Sequence, residues 1–132
     1  MKNKIIYIKR TDLWEIKRNI FSDSNIFWVE IDGKNCLNLS DYLIDISTKF
    51  QFPTMAKGLD GYDDWLTDLT WIDKDSIVVI INNYIDFLKS DILSKEKVME
   101  LFEISILPWW EAEVCDYVVD GKPKSFLVYL VD

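Results

Sequence analysis

The run Asp75–Asn83, DSIVVIINN, decides the fold class. Five β-branched residues, Ile77 to Ile81, follow one another without a polar interruption. A strand with one wet face alternates apolar and polar residues, whereas a strand covered on both faces does not. The run therefore predicts a strand sandwiched between two layers, as in a parallel sheet.

Two further strands flank it in sequence. Asn25–Ile31, NIFWVEI, is β-branched and aromatic. The last segment, KSFLVYLVD, alternates and reads as a closing strand, although VVDGKP before it also permits a hairpin with 113–119. Asp32–Gly33 permits a hairpin or a plain turn. Between the strands lie helical patterns. Leu43, Ile46 and Phe50 share a face in NLSDYLIDISTKFQF, capped by Asn38 or Ser40 and stopped before Pro53. A second helix is expected at about Leu59–Thr70, a short one in YIDFLKSDIL, and another from Ser94, interrupted or kinked by Pro108.

These elements predict an α/β fold: a small, three-stranded, mostly parallel sheet (25–31, 76–82, 125–131) packed with about four helices. KIIYI and TDLWEIKRNIF add a strand and a helix at the N-terminus. Residues 1–24 are expected to be an N-terminal extension and 25–132 the main domain. A chain of 132 residues is long enough to bury a core without disulfides or metal.

Charge and composition exclude several functions. The formal net charge is −8, yet residues 1–20 carry six Lys or Arg against two acids, so the remainder carries −12. Nucleic acid and anionic membranes are disfavoured as partners, and a basic protein is favoured. There is no His, so Ser-His and Cys-His pairs, His general bases and His-based zinc sites are absent. Cys36 and Cys115 have no motif spacing and cannot close a zinc site by themselves. The four glycines match no phosphate-binding loop. With no secretory or membrane-spanning pattern, a reduced cytoplasmic protein is expected, free of cofactors and not an enzyme.

The most informative surface is KGLDGYDDWLTDLTW, Lys57–Trp71. On a helical wheel Leu59, Tyr62, Leu66 and Leu69 form an apolar stripe. Asp60, Asp63, Asp64, Thr67 and Asp68 fall opposite, with Trp65 at the border. The helix dipole favours Asp60 and in part Asp63, but not Asp64 or Asp68. The pairs Asp60/Asp64 and Asp64/Asp68 each cost a few tenths of a kcal/mol (~0.2–0.5). This cost is compatible with a solvated face and also with a recognition surface. Outward-pointing helical carboxylates do not wrap a cation, and no cleft suggests a glycosidase pair.

In order along the chain, Ile31-Asp32-Gly33, Phe52-Pro53, Asp60, Tyr62, Asp64, Leu66, Asp68-Leu69 and Trp71 make a pattern. It resembles the barstar family of ribonuclease inhibitors over about Asn25–Asn83. The resemblance implies a protein that plugs the active site of a nuclease with this helix and the loop before it. It implies that Asp60 and Asp64 face the partner and that Asp63 stands where a bulky contact residue is common. Thr54–Gly58 would be the binding loop. The expected partner-binding set is thus Thr54, Met55, Lys57, Gly58, Asp60, Asp63, Asp64, Thr67 and Asp68. The partner expected is a basic toxin, a nuclease, met by an immunity protein that is monomeric when unbound. An acidic regulatory module for some other basic protein is the alternative. The loop TMAKG lacks the family's aromatic and has Ala56 at the usual Gly and Gly58 at the usual Asn. Gly61 replaces the usual Ala. Trp109 and Trp110 suit either the core or an interface.

Overall fold

The computed structural model describes residues 2–132. Four strands, β1 (Lys4–Ile8), β2 (Ile26–Asp32), β3 (Ser76–Asn82) and β4 (Ser125–Val131), form one sheet in the order β1-β4-β3-β2. All three pairings are parallel. The sheet has four strands, not the three expected, because Lys4–Ile8 pairs with Leu127–Val131 and extends the sheet beyond β4.

Each parallel connection carries a helix back across the sheet. Helix α1 (Arg10–Phe21) joins β1 to β2, and α2 (Leu39–Lys49) and α3 (Leu59–Leu66) join β2 to β3. Helix α4 joins β3 to β4 over residues 92–117. It is α-helical at Ile92–Leu101 and Val114–Tyr117, with π-helical turns at Phe102–Ile106 and Trp109–Glu113.

The sheet separates two cores, which explains the unbroken apolar run of β3. Ile77, Val79 and Ile81 enter the large core with α2, α3 and α4, while Val78 and Ile80 enter a smaller one with Ile20 of α1. A strand buried on both faces has no use for alternation.

Several local expectations give way to tertiary structure. Asp32–Gly33 opens a 3-10 turn (Gly33–Asn35), not a hairpin, and a Cβ at Gly33 would lie 2.3 Å from the Asn83 carbonyl oxygen. Only glycine permits that approach. Tyr84–Asp86 is a 3-10 turn where a short helix was expected, and the following helix starts at Ile92 under an Asp91 cap. Residues 113–117 are helical, which removes the hairpin alternative for the segment before β4. Pro108 does not end α4. The missing proline N–H and ring clash are absorbed by the widened turns on either side.

Candidate partner-binding surface

Helix α3 has only eight residues, too few to be stable in isolation. Packing must hold it. Tyr62 and Leu66 are fully buried on its inner face, and Leu59 and Trp65 pack beside them. Gly58 occupies the N-cap with extended backbone and no side chain to cap the first N–H groups. Asp60 in the first turn faces the positive end of the helix dipole. The helix ends earlier than its periodicity predicts. Leu69 is buried with φ 50°, so its backbone turns left-handed to keep the side chain in the core.

Three hydrogen bonds fix the helix against its neighbours. The Tyr62 and Tyr42 hydroxyls meet at 2.7 Å in the core. Ser105 Oγ donates to Asp63 Oδ1 at 2.7 Å, and Trp110 Nε1 donates to the Leu66 carbonyl at 2.7 Å. Both α4 donors lie in or beside the π-helical turns. Each such turn holds an extra residue and rotates the face that follows, which is how Ser105 and Trp110, five residues apart in sequence, both reach α3.

These contacts sort the acidic residues. Asp60 and Asp64 are exposed, one helical turn apart. Asp63 is half-buried against α4, and burial raises its carboxyl above the usual carboxylate range, opposed by the Ser105 hydrogen bond. Thr67 is the C-cap; its hydroxyl donates back to the Asp63 carbonyl at 2.8 Å. Asp68 lies past the helix, where its carboxylate accepts from the Thr70 N–H at 3.3 Å. The Asp64/Asp68 pair is therefore not an i,i+4 helical pair, and that expected repulsion does not arise. Among the described residues the ion pairs are Lys17–Glu30, Lys49–Asp45 and Lys89–Asp86. None engages Asp60, Asp63, Asp64 or Asp68.

The loop before α3 is pinned at one point. The Ala56 N–H donates to Ser47 Oγ at 3.1 Å, in the core, while Thr54, Met55 and Lys57 remain exposed around it. Two grooves flank this loop. One of about 740 Å³ runs between α3 and α4, past Gly58, Asp60, Asp63, Lys97, Glu100 and Ile104. The other, about 450 Å³, lies between the loop and α2, where Ile44 and Met55 are half exposed. The expected binding residues thus form one ridge, Thr54 to Asp64, with Asp63 turned aside and Thr67 and Asp68 at its far end.

Burial, then the nearby Asp45 carboxylate, pushes the Cys36 thiol up to about 12, so it stays protonated at neutral pH. Ser105 and Trp110 are the contributors that periodicity misses, because a π-helical turn leaves no regular trace in sequence.

The family model described as Barstar (barnase inhibitor) matches residues 26–130. No curated protein and no solved structure matches the chain.

Proposed function

Because the chain belongs to the barstar (barnase inhibitor) family, we propose that it is an immunity protein that occludes the active site of a basic ribonuclease toxin in the cytoplasm of the cell that makes it. The family consists of inhibitors of barnase-type ribonucleases and not of enzymes. The carrying observation is that Asp60 and Asp64 stand exposed on one helix held by its neighbours, with no cation paired to them among the described residues. Carboxylates held one turn apart resemble successive phosphates of an RNA backbone to a site built from Arg and Lys. The same charge steers a basic protein toward the surface, and the barnase–barstar pair is itself the reference case for such steering. The action is occlusion, with no bond made or broken by the inhibitor.

The loop presents Met55, beside the half-exposed Ile44 of α2, where the resembling pattern has an aromatic. This favours a partner whose rim offers aliphatic surface.

Co-purification with a basic ribonuclease encoded beside this chain tests the proposal. Asp64→Ala and Asp60→Ala are each expected to weaken the complex by about 30-fold or more, the effect of removing one member of a desolvated charge pair. Folding should be intact, and added salt should slow association. Unchanged affinity in both variants would overturn the helix-plug reading.

A further inference from the structure

We propose that the groove beside Trp109 binds an arginine-bearing extended segment of a protein partner. The groove holds about 620 Å³ between the end of α3 and the 118–124 turn. Trp109, Trp110 and Leu69 line it, and Asp68, Asp73 and Asp120 stand among its polar residues. Asp75 lines it as well, so four carboxylates face two cations, Lys122 and Lys124, and the Lys124 ammonium is anchored on the carbonyls of Ile72 and Lys74. The available charge is therefore predominantly negative, and a cation suits it.

Trp109 points independently to a ligand. Among the described residues its Nε1 is the one buried side-chain polar atom without a hydrogen-bond partner. The Trp71 and Trp110 indoles both donate to main-chain carbonyls, of Phe50 and Leu66. An indole N–H is a donor only, so it calls for an acceptor. For Nε1 to meet the groove, the packing of Trp109 on the core and on Tyr117 would have to yield, but no hydrogen bond would be lost, and a main-chain carbonyl of a bound segment would satisfy the donor. Trp109 also stacks on the exposed Tyr117 ring, with centroids 6.0 Å apart and planes at 19°. The Trp109 and Trp110 indoles that line the groove beside its carboxylates suit a guanidinium, which stacks on aromatic faces and forks to carboxylates, better than the compact lysine ammonium. The same carboxylates repel nucleic acid.

Asp68 and Thr67 line this groove and also end the ridge of α3, so a protein seated on α3 can reach Trp109. Only the identity of that partner rests on the inhibitor reading; the chemistry of the groove does not. The probe is an acetyl-Arg-Gly-Arg-amide peptide, with the neutral citrulline analogue as control, titrated into protein with ¹⁵N-labelled indoles. Loss of a signal in Trp109→Phe identifies the Trp109 resonance. The arginine peptide is expected to shift it saturably while the Trp71 signal, outside the groove, stays in place. Asp68→Asn with Asp120→Asn should weaken that response about three- to ten-fold. Asn tolerates the left-handed backbone of Asp120, φ 57°, so the variant preserves the turn. No saturable shift, an equal shift with citrulline, or an unchanged response in the double variant would overturn the proposal. A barnase-type ribonuclease supplies the second arm. If the peptide shifts Trp109 but the ribonuclease does not bind, the inhibitor reading falls and the groove stands. If the ribonuclease binds and the peptide is silent, the groove falls alone.

Discussion

Helices α1 and α3 both lie on the sheet by one apolar stripe, but they are held in different ways. Helix α1 is longer, at 12 residues, yet buries only Ile20 fully, and Trp14 and Phe21 stand 70% and 61% exposed. Its polar ties run to β2 and to the end of β3: Lys17 pairs with Glu30 at 2.7 Å, and the Arg10 guanidinium donates to Asn83. Helix α3 is shorter but sinks Tyr62 and Leu66 into the large core and is hydrogen-bonded to α4 at two points. Chain length and intrinsic propensity do not decide which helix is the rigid one. Rigidity follows from tertiary tethers, and a rigid surface avoids the ordering cost that weakens binding.

The largest expected effect comes from removing what each helix buries. Leu66→Ala should cost about 3–5 kcal/mol, since a fully buried Leu leaves a cavity behind. Leu13→Ala on α1 should cost about 1 kcal/mol, because Leu13 is only half-buried. Urea unfolding of both variants measures the difference. Equal losses would mean that α1 is as firmly integrated as α3, and the contrast would fail.

A smaller effect isolates one tether. In Ser105→Ala, Asp63 loses the hydrogen bond that opposes the upward shift of its carboxyl. An acid with a raised folded-state pKa binds its proton more tightly in the folded protein than in the unfolded chain. The stability it lends is present below the usual carboxylate range and is lost as pH rises through the folded-state pKa. Ser105→Ala should raise that pKa further, so its destabilisation should be greater at neutral pH than in acid. Ser105→Thr should restore the wild-type profile. Denaturation midpoints over the acid-to-neutral range report it, and a loss independent of pH would show that Ser105 acts by packing alone.

These tethers also mark where the sequence stops being legible. The burial of β3 on both faces was readable, because five consecutive Ile and Val residues exclude a wet face. The place of Lys4–Ile8 was not, because β1 is short and its partner, Leu127–Val131, lies more than a hundred residues away. Nothing local encodes such a pairing. The wheel correctly put Tyr62 and Leu66 inside and Asp60 and Asp64 outside. It misplaced Asp63 because a wheel knows only the helix's own axis, and α4 laps over that flank. It ran the helix on to Thr70 because no Gly or Asn marks the stop. The stop is imposed by Leu69, which takes a backbone conformation that leucine disfavours in order to stay buried. The nine residues expected to meet a partner group as a loop and a helix, but their individual orientations come from Ser47, Ser105 and Trp110, which no local pattern connects to them.

The smallest effect concerns the joint between the loop and α3. The pattern this region resembles has Gly in the loop and Ala in the helix, whereas here Ala56 precedes Gly61. The two positions touch: a Cβ at Gly61 would lie 3.8 Å from Ala56 Cα and 3.9 Å from its Cβ, ordinary van der Waals contact. The methyl group has in effect moved across one contact, from helix to loop, where Ala56 is now buried. Space remains for a second methyl, and glycine inside a helix loses more backbone freedom on folding than alanine does. Gly61→Ala is therefore expected to stabilise the protein by about 0.5–1 kcal/mol, read as a higher urea midpoint at unchanged slope. Ala56→Gly should do the reverse, since it removes a buried methyl and loosens the loop. If Gly61→Ala is destabilising instead, the joint is already full, and the glycine is there to let the loop and helix close on each other. The rigidity of α3 would then depend on its N-terminal approach as much as on α4, and slower amide exchange through α3 in Ala56→Gly than in Gly61→Ala would mark that outcome.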